Sequence, residues 1–74
     1  MRKSDAEPAI RQLCHAWRRG EGHLQTPARS LSFGDFWEWL QANYSNYLTF
    51  RSSASVRYDV ELWFDQEFGQ AGQR

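Results

Sequence analysis

From residue 33 to residue 47 the chain places Phe33, Phe36, Trp37, Leu40, Tyr44 and Tyr47 at helical spacing. On an α-helix these six side chains fall within about a third of the circumference. A stripe of that width has to be covered, so the rest of the chain must supply the surface that covers it. The spacing predicts a helix over 33–45 whose apolar face provides most of the core. Ser32 with Asp35 resembles a capping box at its start, with Asp where Glu or Gln is more usual. The tract NYSNY has poor helix propensity and puts the end anywhere from Asn43 to Leu48. Trp39 breaks the pattern, standing off the stripe beside Asp35, Glu38 and Ala42. Such a residue either laps over the edge of the core or anchors a partner.

Covering the stripe is demanding because the chain is short. Its 74 residues form one domain, 1–74, with termini 1–4 and 70–74 expected to fray. A domain of this size buries only about 60% of its unfolded-state surface and usually needs reinforcement. One cysteine, Cys14, excludes an internal disulfide, and one Cys with two His gives no zinc spacing. The compensation is aromatic: four Trp, five Phe and three Tyr, each able to bury roughly 150–250 Å².

Residues 5–19 predict a first helix. Ser4 or Asp5 can cap it, Glu7 suits the positive end of the dipole, and Pro8 is tolerated in the first turn. Ala6, Ile10, Leu13, Cys14 and Trp17 share one side, Arg18 and Arg19 suit the C-terminal end, and Gly20 stops the helix. The connection over 20–31, GEGHLQTPARSL, has no period. At twelve residues it is long for so small a domain, and it is expected either as an ordered loop packed through Leu24 and Leu31, the favoured reading, or as a binding loop.

The segment 55–68, SVRYDVELWFDQEF, fits two periods. Val56, Tyr58, Val60, Leu62 and Phe64 alternate with charged residues and Trp63 as in a half-buried strand. Val56, Val60, Trp63, Phe64 and Phe68 also recur at roughly helical spacing. A strand would pair with NYLTF through RSSAS, which lacks Gly, Asn, Asp and Pro to set a tight turn. A helix would be capped by Ser53 or Ser55 and closed by Gly69, and would carry Tyr58 and Leu62 together on a second apolar face. The turn chemistry favours the helix. The fold class is therefore mainly α, a compact three-helix domain with helices over about 5–19, 33–45 and 54–68. The alternative is an α+β fold, two helices packed on a hairpin of 46–51 and 56–64.

Function follows from what the residues can and cannot do. Cys14 and His15 are adjacent, about 100° apart on a helix, and form no nucleophile–base pair. Cys14 lies on the apolar side as a buried thiol, while His15 and His23 are expected in solvent. Glu61 and Asp65 are an i, i+4 carboxylate pair without a third ligand and read as surface charge. No phosphate loop, nucleophile elbow or HExxH motif occurs, so the chain is expected to be non-catalytic, with no cofactor and no metal. No apolar run approaches the ~20 residues of a membrane span, and MRKSDAEPAI has no signal-peptide core. A cytoplasmic chain without membrane contact is expected.

Formal net charge is zero, which disfavours non-specific nucleic-acid binding. The distribution is uneven: residues 1–30 hold six basic and three acidic side chains, and residues 58–74 hold one and four. A DNA-binding or regulatory alternative would present Arg51, Ser52, Ser53, Ser55 and Arg57 at the start of the last helix, helped by Arg11, Arg18 and Arg19. Asp59, Glu61, Asp65 and Glu67 on that helix would repel phosphate. The favoured reading is a small protein–protein interaction module (adaptor, inhibitor or small subunit) whose partner is another protein or a second copy of itself. Its surface would carry Trp39, Tyr58, Leu62 and Trp63, the last exposed if 55–68 is a strand and buried if it is a helix.

Overall fold

A computed structural model describes residues 1–20, 22–23, 25–27 and 30–69. Three α-helices follow in order: α1 Lys3–Gly20, α2 Phe33–Tyr44 and α3 Val56–Glu67, with a 3₁₀ turn Ser45–Leu48 after α2. The mainly α expectation holds. The hairpin of 46–51 and 56–64 does not form, because its first half is the 3₁₀ turn and its second half is α3. Leu24 and residues 70–74, where an ordered loop contact and fraying were expected, lie outside the described residues. No helix of the described residues is long and apolar enough to cross a membrane.

Local chemistry explains the boundaries. Ser55 has extended backbone (φ −162°, ψ 154°) and its hydroxyl accepts the Tyr58 N–H, so it is the N-cap of α3. The Phe68 N–H donates to the Phe64 carbonyl, and Gly69 takes the left-handed φ of 70° that ends the helix. Ser32 caps α2 by accepting the Asp35 N–H at 3.3 Å. α1 departs from expectation at both ends. It begins at Lys3, so Pro8 sits inside the helix instead of in its first turn. Proline there cannot donate the usual amide to the residue 4 carbonyl. The added turn is held by the buried Ala6 and by Lys3 Nζ, 3.4 Å from Asp59 Oδ2. At the other end α1 runs through Gly20. The reversal falls at Gly22 (φ 77°), after which the His23 N–H donates to the Arg18 carbonyl.

The core lies where the three helices meet. α1 contributes Ala6, Ile10, Cys14 and Trp17, α3 contributes Val60, Trp63 and Phe64, and Leu31, Phe50 and Phe68 close its edges. The expectation that the 33–47 stripe supplies most of the core is corrected. Only Phe36 and Leu40 of that stripe are buried, while Phe33, Trp37, Tyr44 and Tyr47 pack half-buried along its margin. The reason is that α1 and α3 are each other's principal neighbours, and α2 touches each of them less extensively. One ring from each helix meets at the centre. Trp17 stands 5.4 Å edge-on to Phe36, Phe36 is 5.5 Å from Phe64, and Phe64 is 6.0 Å from Trp17.

A fully buried Phe contributes about 1.5–3 kcal/mol by transfer, and ring pairs at this spacing add about 0.5–1.5 kcal/mol. Truncating Phe64 to Ala is expected to cost about 3–5 kcal/mol, against the roughly 4–11 kcal/mol that a chain of this length holds. Urea denaturation followed by circular dichroism should find Phe64→Ala unfolded or nearly so. Tyr58→Ala, on the outer face of the same helix, should stay within about 0.5 kcal/mol of the parent chain. Equal costs for the two would contradict the described packing of α3.

Candidate protein-interaction surface

The Ser55 cap fixes the phase of α3. At about 100° per residue, a helix that turns Val60, Trp63 and Phe64 inward must turn Tyr58 and Leu62 outward. Tyr58 is 58% exposed and Leu62 39% exposed, one turn apart, and together with Glu61 and Asp65 they line a shallow hollow on the outside of α3. Burial, and then repulsion from Glu61, hold the Asp65 carboxyl above its ordinary value. The result is a small apolar patch bordered on one side by acids.

The other two residues expected on this surface are elsewhere. Trp63 is 3% exposed with its ring 5.5 Å from Phe50, so the helical phase makes it core. Trp39 is half-buried, 5.9 Å from Phe36 and 5.3 Å from Tyr44, and does not line the Tyr58 hollow. It extends the central ring cluster along α2.

The candidate nucleic-acid residues are also dispersed. The Ser52 and Ser55 hydroxyls accept the Ala54 and Tyr58 N–H groups at 3.2 and 3.0 Å, which is turn and cap chemistry. Ser53 is exposed. The Arg57 guanidinium lies 5.3 Å from the centre of the Phe33 ring on α2. Arg51 lines a separate hollow with Arg2, Lys3, Asp5 and Thr49. Arg18, expected to extend a basic surface, instead donates to the Thr26 carbonyl at 2.8 Å and stacks over Phe68.

The acids of α3 are not a uniform stripe either. Asp59 is buried at 6% exposure beside Lys3, although its Oδ2 receives no hydrogen bond at that 3.4 Å separation. Glu67 closes a clasp between α1 and α3. Its Oε2 accepts from Arg11 Nη1 at 2.8 Å and its Oε1 lies 2.8 Å from His15 Nε2, while Arg11 also binds Glu7 and Gln66. His15 and His23 are thus not simply solvated: His15 meets Glu67 and Phe68, and the His23 ring sits 4.6 Å from Trp17. The sequence did carry a trace of the clasp. Glu7, Arg11 and His15 recur every four residues along one flank of α1.

The remaining chemistry is sparse. Burial chiefly pushes the Cys14 thiol up to about 12, which keeps it protonated and unreactive. Among the described residues no three His, Cys, Asp or Glu side chains gather as they would around a metal.

Burial raises the pKa of Glu67, but hydrogen bonds from Arg11 and His15 outweigh it and hold the carboxyl below its ordinary 4.5. A folded-state pKa below the unfolded one stabilises the fold above pH 4.5, and that contribution fades as pH falls through the lowered value. Glu67→Gln should therefore be less stable than the parent by about 1–2 kcal/mol at pH 7. The gap should narrow as pH falls below 4.5 and close once the lowered value is passed, in paired urea titrations; a gap independent of pH would show that ionisation of Glu67 is not its source.

Comparisons of the chain with protein-family models, with curated proteins and with solved structures find no match.

Proposed function

We propose that this chain is a non-catalytic interaction module that docks another protein chain on the outer face of α3, with Tyr58 and Leu62 as its anchors. The observation that carries this reading is the pairing of two exposed large apolar residues one turn apart on a helix whose opposite face is fully buried. Single exposed apolar side chains are ordinary on a protein surface. A contiguous pair lining a hollow with an acidic border is the form of a small docking patch. The partner it fits offers an apolar cleft with basic groups on one edge, which would meet Glu61 and Asp65. The single thiol, buried and protonated, offers no nucleophile and is suited to a reducing, cytoplasmic setting.

A second reading, nucleic-acid binding, is favoured by one specific feature. Arg2, Lys3 and Arg51 line one hollow where α1 begins, a basic spot that could meet phosphate. Asp5 in the same hollow, and the use of Ser52 and Ser55 as caps, count against it.

Affinity capture from the source cell's lysate, with and without nuclease, separates the two. The interaction reading expects a protein partner that survives nuclease and is lost in Leu62→Asp, with helical circular dichroism unchanged. Capture that disappears on nuclease treatment and in Arg51→Ala, yet persists in Leu62→Asp, would transfer the function to nucleic acid.

A further inference from the structure

The start of α1 and the segment after the 3₁₀ turn share a hollow of about 710 Å³, lined by Met1, Arg2, Lys3, Asp5, Thr49 and Arg51. That volume lies within the ~300–1,000 Å³ of small-molecule sites. Three of the six side chains are cations, and the fold holds each of them by its own backbone or charge. Phe50, buried against Trp63, pins the chain between Thr49 and Arg51. The Arg2 carbonyl accepts the Asp5 and Ala6 N–H groups at 3.0 and 2.9 Å, which ties Arg2 to the start of α1. Lys3 Nζ is drawn toward the buried Asp59 Oδ2 but, at 3.4 Å, makes no hydrogen bond to it. Its N–H donors are therefore uncommitted. Arg11, Arg18 and Arg57 are engaged by carboxylates, carbonyls or rings. Among the described residues the guanidinium groups of Arg2 and Arg51 have no such partner.

We propose that this hollow binds a small soluble phosphate monoester, whose phosphoryl oxygens are held by Arg2, Lys3 and Arg51 at the positive end of α1. A guanidinium donates two parallel hydrogen bonds to phosphate, and a phosphate monoester offers three terminal oxygens to three cations where a carboxylate offers two. The hollow has room for more than the phosphate, and Met1 gives its rim an apolar side chain for the carbon portion of the ligand. Two acids limit the charge of what enters. Asp5, an acid in the first turn of α1, lines the hollow, and Asp59 stands behind Lys3. Three cations against two carboxylates leave a small excess, which suits one phosphate group. A polymer of phosphates needs a longer row of cations. The Thr49 hydroxyl donates to the Asn46 carbonyl at 3.1 Å and adds no donor for the ligand. The site is separate from the outer face of α3 and does not rest on its reading as a docking surface. It gives the basic spot a small ligand in place of a nucleic acid.

Titration with glycerol phosphate and with inorganic phosphate, at constant ionic strength, tests the site through the NMR shifts of the backbone amides of residues 3–5 and 49–51. Both should saturate those amides at about millimolar concentration, the monoester more tightly, while acetate does not. Arg2→Ala and Arg51→Ala, at exposed positions, should keep the helical circular dichroism and weaken binding roughly tenfold each. Lys3 is left intact because the buried Asp59 depends on its charge. Asp5→Asn should tighten binding, since it removes the one carboxylate that lines the hollow. Leu62→Asp should bind the monoester as the parent does, which keeps this test separate from that of the α3 surface. Absence of a saturable shift at residues 3–5 and 49–51, equal binding of acetate, or binding unchanged in both arginine variants overturns the proposal. Binding to vesicles containing phosphatidic acid with no response to glycerol phosphate overturns it in favour of a lipid surface. An oligonucleotide that shifts the same amides at lower concentration than the monoester overturns it in favour of nucleic acid.

Discussion

Trp17, Phe36 and Phe64 come from three different helices, and their rings meet within 5.4 to 6.0 Å of one another. That contact sets the terms for the rest of the molecule. A chain of 74 residues with one cysteine cannot cross-link itself, and its core has to be made from few side chains of large area. Rings do this at low cost in rotamer freedom, and their edge-to-face preference fixes angles as well as distances. With Phe64 pinned to Trp17 and Phe36, α3 can turn neither way about its axis. Trp63 is carried onto Phe50, and Tyr58 and Leu62 are carried outward. The exposed Tyr58–Leu62 pair is thus a consequence of how the core closes.

The electrostatic pattern has the same origin. The basic stretch 1–30 and the acidic stretch 58–74 suggest complementary docking between molecules. Half of those acids are met within the chain, because α1 and α3 pack side by side. Lys3 meets Asp59 at one end of the pair, and Arg11 and His15 meet Glu67 at the other. What is left to face outward on α3 is Glu61, exposed, and Asp65, half-buried. The charge asymmetry therefore speaks first for the fold, and only its remainder bears on a partner.

Periodicity made the three helices legible in the sequence and placed Tyr58 and Leu62 on their own face. It could not weigh the elements against one another. The six-residue stripe of α2 looks like the strongest core element, yet four of its members are half-buried, because burial depends on which helices become neighbours. Trp39 shows the same blind spot: off the stripe by its angle, it is drawn in by Phe36 and by Tyr44 at the end of α2. The segment 55–68 was ambiguous since alternation and helical spacing share Val56, Val60 and Phe64. The decisive contacts, Ser55 to the Tyr58 amide and Trp63 to Phe50, are a local cap visible in the sequence and a tertiary contact that is not. The Glu67 clasp was half legible, since the ladder on α1 can be read but its partner 56 residues away cannot.

A helix with apolar residues on both sides raises the question of why it packs one way round. Area gives the first answer. The inward side of α3 and its end bury Val60, Trp63, Phe64 and Phe68, whereas the outward side offers only Tyr58 and Leu62. At about 25 cal/mol per Å² of apolar surface, four side chains that include three rings outweigh two. Charge gives the second. Turning α3 over would press Glu61 and Asp65 into the core with no cation to receive them, and would take Glu67 away from Arg11 and His15. An unpaired buried carboxylate costs several kcal/mol, so the inverted packing loses on both counts. Tyr58 and Leu62 can remain on the surface without threatening the fold, which is the condition a helix must meet before its outer face can be used to bind anything.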